Sequence, residues 1–245
     1  MARLPRVVLP GHPHLIIHRG HSGQAVFLDA LDRTAYLSSV REAARGARVL
    51  VHGYALLPSE TRLLVMPETE DGMAELMQSV GRRYVPAFNR KYERSGTPWE
   101  GRFRSTVIEA ERHFAACLRF VEGWADAAQA GAGGPIGAGD GPPWSSAAHH
   151  LGLKIDPLIS DHPVFWAFGN TPFEREAAYR RYAQQAPPDG EVAAILLAAL
   201  NGWVLGSAEF SALVAQQTGR RPQPARRGRP RKATASPVAN DVSPI

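Results

Sequence analysis

The sequence predicts a fold that combines α-helices with an antiparallel pair of β-strands. Two apolar runs, residues 49–56 and 62–66, have Pro58-Ser59-Glu60 between them, a spacing typical of strands joined by a short turn. Two long patterns with apolar residues three and four positions apart predict helices, one beginning after Asp71 and one over residues 109–124. Pro86 lies inside the first of these helices and is expected to kink or divide it.

Further elements are predicted before and after this central part. Residues 14–18 and 103–108 have the composition of strands, and a helical pattern opens at Asp29. Thr171 to Glu174 form a capping box with proline at the first helical position, which predicts a helix to about Gln185. Two shorter helices, 191–201 and 208–217, form either a helix-turn-helix or a pair that packs into the core.

Composition excludes several classes of protein. Apolar residues make up 44% of the 245 residues, enough for a substantial core, but no apolar run approaches the roughly 18 residues of a membrane-spanning helix. The first residues carry no apolar stretch typical of a signal peptide, and Cys117 is the only cysteine. We therefore expect a protein of the reducing cytoplasm, with a nucleoid association open and no membrane partner.

Positive charge is concentrated in two zones, whereas the net charge of the whole chain is only +5. An excess of basic residues in separate zones is typical of a protein with a polyanionic partner, although solvated charged faces are the alternative. The first zone contains Arg82, Arg83, Arg90, Lys91, Arg94, Arg102 and Arg104. The second contains Arg220, Arg221, Arg226, Arg227, Arg229, Arg231 and Lys232.

Two stretches have the composition of unstructured segments. Residues 131–143 are almost entirely glycine, alanine and proline, which predicts a flexible loop. The chain from 222 onwards has the composition of a disordered tail. Three regions are expected: a domain over 1–155, a helical region over 156–218, and a disordered basic tail over 219–245.

Several motifs occur in an order that resembles a known family. They are Pro10-Gly11 with His14 to Gly20, Tyr54-Ala55-Leu56-Leu57-Pro58, Gly81 to Val85 with Phe88-Asn89-Arg90, Arg94 to Thr97, Trp99 to Ser105, and Trp144-Ser145-Ser146 near His150-Leu151-Gly152. Together they resemble the IS200-like transposases of the REP-associated tyrosine transposase branch. The resemblance covers residues 3 to about 185.

The resemblance implies both a fold and a chemistry. The fold is a ferredoxin-like α+β domain, an antiparallel sheet with helices on one face. The chemistry is cleavage of single-stranded DNA: a His-hydrophobic-His motif holds Mg²⁺ or Mn²⁺, and a helical tyrosine attacks the phosphorus. The cation offsets the charge that develops on the phosphate oxygens.

This sequence departs from the family pattern at four required positions. Glu60 and Arg62 stand where the two histidines are expected, Phe120 replaces the nucleophilic tyrosine, and Trp124 replaces the last metal ligand. A guanidinium has no free lone pair for a metal, and phenylalanine has no oxygen. The expectation is a protein with no catalytic metal and no intact catalytic residue, which binds DNA without cutting it.

The replacements are compatible with one another. Glu60 and Arg62 are two residues apart on a strand, so they face the same way and can form an ion pair in place of the metal. Phe120 and Trp124, one helical turn apart, can pack over the same pocket. Uncoordinated drift after loss of selection is the alternative.

The parts expected to bind DNA are the two basic zones, Arg19, and a tail motif. The motif Arg226-Arg227-Gly228-Arg229-Pro230-Arg231-Lys232 resembles an AT-hook, which enters the A·T-rich minor groove of duplex DNA. The first zone also interleaves aromatic residues suited to base stacking, of which at least half are expected in the core. They are Tyr84, Phe88, Tyr92, Trp99 and Phe103.

Three functions remain open from the sequence. The first is a catalytically inactive, transposase-derived protein that binds DNA hairpins, with A·T-rich duplex as a second partner of the tail. The second is an active transposase or nickase in which Tyr54, Tyr84 or Tyr92 has replaced the nucleophile. The third is a scaffold whose basic tail binds nucleic acid nonspecifically. The sequence gives no oligomeric state.

Overall fold

A computed structural model of the chain describes residues 6–124 and 144–221. The strands are β1 (His14–Arg19), β2 (Val49–Leu57), β3 (Glu60–Pro67) and β4 (Arg104–Val107). The helices are α1 (Ala30–Gly46), α2 (Gly72–Lys91), α3 (Ala110–Val121), α4 (Ala147–His150), α5 (Pro163–Trp166), α6 (Pro172–Gln184), α7 (Glu191–Asn201) and α8 (Ala208–Thr218). The expected loop over 131–143 and the tail from 222 lie outside the described residues.

The four strands form one antiparallel sheet in the order β2-β3-β1-β4. The hairpin β2–β3 lies at one side, and β1 pairs with both β3 and β4. The element order β1-α1-β2-β3-α2-β4 with this strand order is the ferredoxin-like arrangement. The predicted α+β class, with an antiparallel sheet and C-terminal helices, is confirmed.

The first face of the sheet is covered by α1 and α2. Alternate strand residues, including Ile16, Leu63 and Val65, are fully buried against apolar residues of these two helices. A capping box between Asp29 and Asp32 starts α1. The amphipathic patterns identified in the sequence therefore form the core on this side.

The opposite face is covered as well, by α3 and the C-terminal helices. Leu15, Ile17 and Leu64 alternate with the first set and lie in a second apolar cluster with α3, α6 and α7. On β2, Gly53 permits close packing of α3, since a Cβ atom there would lie 2.6 Å from the Leu118 side chain. The side chains at β3 positions 60 and 62 point to this second face, because they share the parity of Leu64.

The last two helices pack into the body of the protein. Ile195 and Ala199 of α7 are buried in the second cluster, while Phe210 and Val214 of α8 are buried beside Val107 of β4. The connection between the helices pairs with β4 through a short parallel bridge. No lysine or arginine occurs in α8. These contacts favour the core-packing alternative for the predicted helix pair over a DNA-reading helix-turn-helix.

Two helix predictions can be compared with the structure. Helix α2 runs through Pro86 without being divided, and Tyr84 and Phe88 are buried in the core on either side of the proline. Helix α3 ends at Val121, because Gly123 adopts φ 80° and its amide donates to the Phe120 carbonyl. Trp124 is therefore not one turn beyond Phe120 on the same helix, and that part of the prediction was wrong.

Within the described residues, no helix is both long and apolar enough to cross a membrane.

Candidate functional site

Glu60 and Arg62 lie at the start of β3, on the face that α3 covers. Antiparallel pairing places Arg19 of β1 directly opposite Glu60, and Ile17 opposite Arg62. On its other side β1 pairs Ile17 with Arg104 of β4. Because cross-strand partners share a face, Arg62, Ile17 and Arg104 form a row across the sheet on the α3 side.

The carboxylate of Glu60 is shared by two arginines. Its Oε1 accepts a hydrogen bond from Nε of Arg62, and its Oε2 accepts one from Nε of Arg19, each at 2.6 Å. The side chains of Glu60 and Arg62 are 11% and 7% exposed, whereas Arg19 is 40% exposed. The ion pair expected between Glu60 and Arg62 is present, and Arg19 turns it into an Arg-Glu-Arg cluster with an excess of positive charge.

Phe120 of α3 packs against the guanidinium of Arg62. The guanidinium carbon of Arg62 lies 4.3 Å from the centroid of the Phe120 ring, in the geometry of a cation–π contact. Nη1 of Arg62 also donates to the Phe120 carbonyl at 3.0 Å. The fold therefore brings Glu60, Arg62 and Phe120, three of the four residues expected at the catalytic positions of the family, into direct contact.

The cluster offers no set of ligands for a divalent cation. Both carboxylate oxygens of Glu60 already accept hydrogen bonds from arginines, and the guanidinium of Arg62 is itself a buried cation at the position of a required ligand. A metal at this place would meet like charge without compensating lone pairs. The residues present do not fit the Mg²⁺ or Mn²⁺ that the family resemblance implies.

Trp124, the fourth position, contacts a different group. Its Nε1 donates at 3.1 Å to Oε2 of Glu122, a carboxylate with no exposed surface. Oε2 also accepts from the Tyr179 hydroxyl at 2.6 Å. Oε1 accepts from Oγ of Ser146 at 2.8 Å and pairs with Nδ1 of His150 at 2.6 Å. Glu122 thus has four partners, from the end of α3, the loop before α4, α4 itself and α6.

These contacts decide the ionisation of Glu122. Burial acts to raise its pKa, but the charge and hydrogen bond of His150, with the hydrogen bonds from Tyr179 and Trp124, outweigh burial, and the pKa is lowered. This cluster was missed at the sequence level because its partners are separated by up to 57 residues. A glutamate after the apolar stripe of α3, close to Trp124, was the available signal.

The tyrosines considered as replacement nucleophiles are placed elsewhere. Tyr54 and Tyr84 are buried in the core on the α1/α2 side of the sheet, and Tyr92 packs against that core. Their hydroxyls donate to Asp156, the carbonyl of Val26 and Asp32 respectively. Burial is the first cause that raises the pKa of all three. The sheet therefore separates them from Glu60 and Arg62.

Some residues of the first basic zone are already neutralised. Nζ of Lys91 lies 2.6 Å from Asp29 and 2.8 Å from Asp32, so this lysine is held by two carboxylates. Arg83 pairs with Glu42 at 3.4 Å. Among the rest of the described zone, Arg82, Arg90 and Arg94 are exposed on or just after α2, and Arg102 and Arg104 are exposed at β4.

Arg6 joins the cationic group at β4 and was not selected from the sequence. Its guanidinium carbon lies 3.5 Å from the Phe103 ring centroid, and its Nη2 donates to the Phe103 carbonyl at 3.0 Å. Burial and the nearby charges of Arg102 and Arg104 lower the pKa of Arg6 to about 10. No carboxylate within the described ranges forms an ion pair with these three arginines. Such mutual repulsion favours an anionic partner.

The aromatic residues of this zone belong mostly to the core. Tyr84, Phe88, Trp99 and Phe103 are all buried, as the larger part of the prediction required. Trp99 stacks on His18, with ring centroids 4.2 Å apart. The arginines of the AT-hook-like motif and Lys232 lie outside the described residues.

Comparison with known proteins adds the fold. A solved structure described as a REP-associated tyrosine transposase bound to a REP hairpin matches with a TM-score of 0.50 and 12% identity. The match covers 67% of this chain and 93% of that one. A putative transposase from Deinococcus radiodurans matches at a TM-score of 0.34 and 18% identity, over 49% of this chain and 94% of that one. No protein-family model and no curated protein sequence matches. The chain shares the fold of the REP-associated tyrosine transposase.

Proposed function

We propose that this chain is a DNA-binding protein derived from an IS200-like, REP-associated transposase, and that it binds hairpin DNA without cutting it. The proposal combines the shared fold with the ordered motifs of the sequence. The solved transposase with this fold is described in complex with a DNA hairpin. We further propose that the protein acts in the cytoplasm, where such DNA is accessible.

The contact between Arg62, Glu60 and Phe120 carries the inactive part of this proposal. The family's metal would need ligands where the Arg62 guanidinium lies 2.6 Å from Glu60, and its nucleophile would need an oxygen where Phe120 has a ring. Metal and nucleophile act as a unit in this chemistry, so loss of both removes the reaction rather than slowing it. The positions of Tyr54, Tyr84 and Tyr92 give no support to a relocated nucleophile.

The binding part of the proposal rests on the arginines beside the cluster. Arg104 and Arg19 lie on the α3 face and are at least partly exposed, and Arg6 and Arg102 adjoin Arg104. The charges of Glu60 and Arg62 cancel, so the excess positive charge of this face comes from Arg19 and from the exposed arginines at β4. A phosphate backbone crossing the face would neutralise this charge and release counterions.

Competition binding tests the proposal directly. A labelled single-stranded hairpin is bound to the full chain and displaced by unlabelled hairpin or by a scrambled strand of equal length. We expect the hairpin to compete better. Arg104→Ala should weaken binding about fivefold and reduce the salt slope by about 1, because one phosphate contact is lost. Arg45→Ala, an exposed arginine of α1 on the other side, is the matched control and should bind normally.

The tail is proposed as a separate duplex-binding segment over 219–245, beyond a domain over 1–155 and a helical region over 156–218. Truncation after Thr218 removes the seven basic residues of the second zone. The truncated protein should bind A·T-rich duplex more weakly and with a shallower salt slope, but should keep its preference for the hairpin. Unchanged duplex binding would contradict the AT-hook assignment. Loss of the preference for the hairpin would show that the tail, rather than the folded domain, recognises the hairpin.

A further inference from the structure

Two adjacent histidines and an aspartate lie together on the far side of Glu122. His149 and His150 end α4, and Asp161 precedes α5. One potential ligand atom from each residue lies within 4.8 Å of the other two. All nine histidines of the sequence lie within the described ranges. Among the described residues, His149, His150 and Asp161 are the group of three or more histidine, cysteine or carboxylate side chains that lie close enough to share a metal ion.

His150 is oriented like a histidine that binds metal. Its Nδ1 lies 2.6 Å from Oε1 of Glu122, and an ionised carboxylate can only accept, so the hydrogen is on Nδ1. The lone pair of Nε2 then points away from Glu122, towards Oδ1 of Asp161 at 3.9 Å. A carboxylate that fixes the distal nitrogen is the usual outer partner of a metal-bound histidine.

His149, the third residue of the group, must give up a hydrogen bond to bind a metal. Its Nε2 lies 3.4 Å from Oδ1 of Asp161, while its Nδ1 accepts from the amide of Asp156 at 3.2 Å. In the metal-free protein the hydrogen is therefore on Nε2. Binding a metal through Nε2 moves that hydrogen to Nδ1 and breaks the bond to Asp156, which reduces the affinity relative to a preformed site.

The spacing fits zinc. Ligands at about 2.0–2.2 Å in tetrahedral geometry are separated from one another by about 3.4 Å. The two distances to Asp161, 3.4 and 3.9 Å, are close to this value. Two imidazoles with one carboxylate favour Zn²⁺ over Mg²⁺, which prefers oxygen ligands.

We propose that His149, His150 and Asp161 bind one Zn²⁺ ion, with Glu122 as the partner that orients His150. Asp161 is 32% exposed, which leaves the remaining zinc position open to water. The positive charge of Arg175 acts on Asp161 and opposes the metal, so the expected dissociation constant is micromolar.

Zinc at this place would join two segments that hold the second face of the sheet. The chain before Asp161 pairs with β2, where the Ser160 amide donates to the Val51 carbonyl at 2.8 Å and Val51 and Ile159 form a parallel bridge. The other segment, α4, carries His150 against the end of α3. The ion would thus stabilise the fold, and its role is independent of the proposed DNA binding.

Calorimetric titration of the untagged, chelator-treated full chain with ZnCl₂ tests the proposal. We expect one ion per chain with a micromolar Kd, no binding of MgCl₂, and a Tm raised by about 5 °C at a zinc concentration of 100 times Kd. The backbone amide signal of Asp156 should shift on zinc addition. The absence of saturable binding would overturn the proposal.

Two variants from different segments make the test specific. His149→Ala and Asp161→Asn should each weaken zinc binding at least about 30-fold, while His113→Ala on α3 should bind as the native protein does. Circular dichroism confirms that each variant is folded, and the amide signal of Asp156 in the native protein gives a readout that needs no variant. Equal zinc affinity in His149→Ala and the native chain would contradict the assignment.

Discussion

Two buried carboxylates on the α3 side of the sheet are stabilised by opposite kinds of partner. Glu60 lies between two permanent cations, Arg19 and Arg62, whereas Glu122 accepts from a histidine, a tyrosine, a serine and a tryptophan. In the first cluster the arginines occupy both carboxylate oxygens of Glu60 and offer no lone pair of their own to a metal. In the second cluster His150 uses Nδ1 for Glu122, and its other ring nitrogen, Nε2, faces away from Glu122 towards Asp161. A buried glutamate thus pairs with arginines that do not fit a metal at one place, and orients a histidine of the proposed zinc site at the other.

Removing the charge of Glu122 should have the largest effect. Glu122→Gln places an amide NH₂ among four groups that donate to the native carboxylate, at a position with no exposed surface. We expect the free energy of unfolding to fall by about 4 kcal/mol, measured by urea denaturation. Glu111→Gln, an exposed glutamate of the same helix, is the control and should change it by less than about 0.5 kcal/mol. A small effect of Glu122→Gln would show that the cluster is replaceable.

The Glu60 cluster should respond differently when both partners are removed. Arg62→Met leaves a largely buried Glu60 with only the half-exposed Arg19, and we expect a loss of about 2–3 kcal/mol. The double variant Glu60→Leu/Arg62→Met removes the charge as well as its partner, so its stability should lie within about 1 kcal/mol of the native protein. If the double variant were less stable than Arg62→Met, the Glu60–Arg62 ion pair would itself stabilise the fold, contrary to this expectation.

Acid should destabilise the protein through a histidine that belongs to neither region. His14 is fully buried, and burial lowers its pKa from 6.5 to about 3. The unfolded chain therefore binds a proton that the folded chain rejects between these values, so stability falls as the pH decreases from 6.5 towards 3. His14→Gln should reduce the slope of unfolding free energy by about 1.4 kcal/mol per pH unit in this window. An unchanged slope would mean that His14 is protonated in the fold.

Single restorations of family residues should have the smallest effect. Phe120→Tyr supplies a hydroxyl without a metal, and Arg62→His supplies one ligand beside Glu60 and Arg19. Because nucleophile and metal act together, neither variant should cleave a hairpin in the presence of Mg²⁺ or Mn²⁺. Cleavage by either variant, followed on a denaturing gel, would show that the site can still support catalysis and would contradict the proposal.

The parts of this structure that were predicted from sequence are those governed by local periodicity. Strand alternation gave the β2–β3 hairpin and the shared face of Glu60 and Arg62, and the Thr171 to Glu174 capping box gave the start of α6. The placement of Trp124 failed because the backbone at Gly123 ends α3 one turn early. The contact of Arg19 with Glu60 could not be predicted, because it depends on the register in which β1 pairs with β3, and the sequence of one strand does not determine that register.

The partners of Glu122 were beyond local reasoning for a similar reason. Ser146 and His150 lie 24 and 28 residues away, and Tyr179 lies 57 residues away on another helix. Ser146 and His150 belong to a motif of the family resemblance, but no periodicity links either of them, or Tyr179, to a glutamate. Only the packing of α3, α4 and α6 on the second face brings them together.

Covalent capture distinguishes a protein that binds hairpin DNA without cutting it, as we propose, from one that cleaves the bound strand. The native chain is incubated with an end-labelled single-stranded hairpin and Mg²⁺ or Mn²⁺, then separated under denaturing conditions. We expect labelled DNA of unchanged length and mobility on the denaturing gel, and a protein-DNA complex on a native gel of the same mixture. A denaturation-resistant protein-DNA adduct or a shortened strand would contradict it, and the linked residue would then identify the nucleophile.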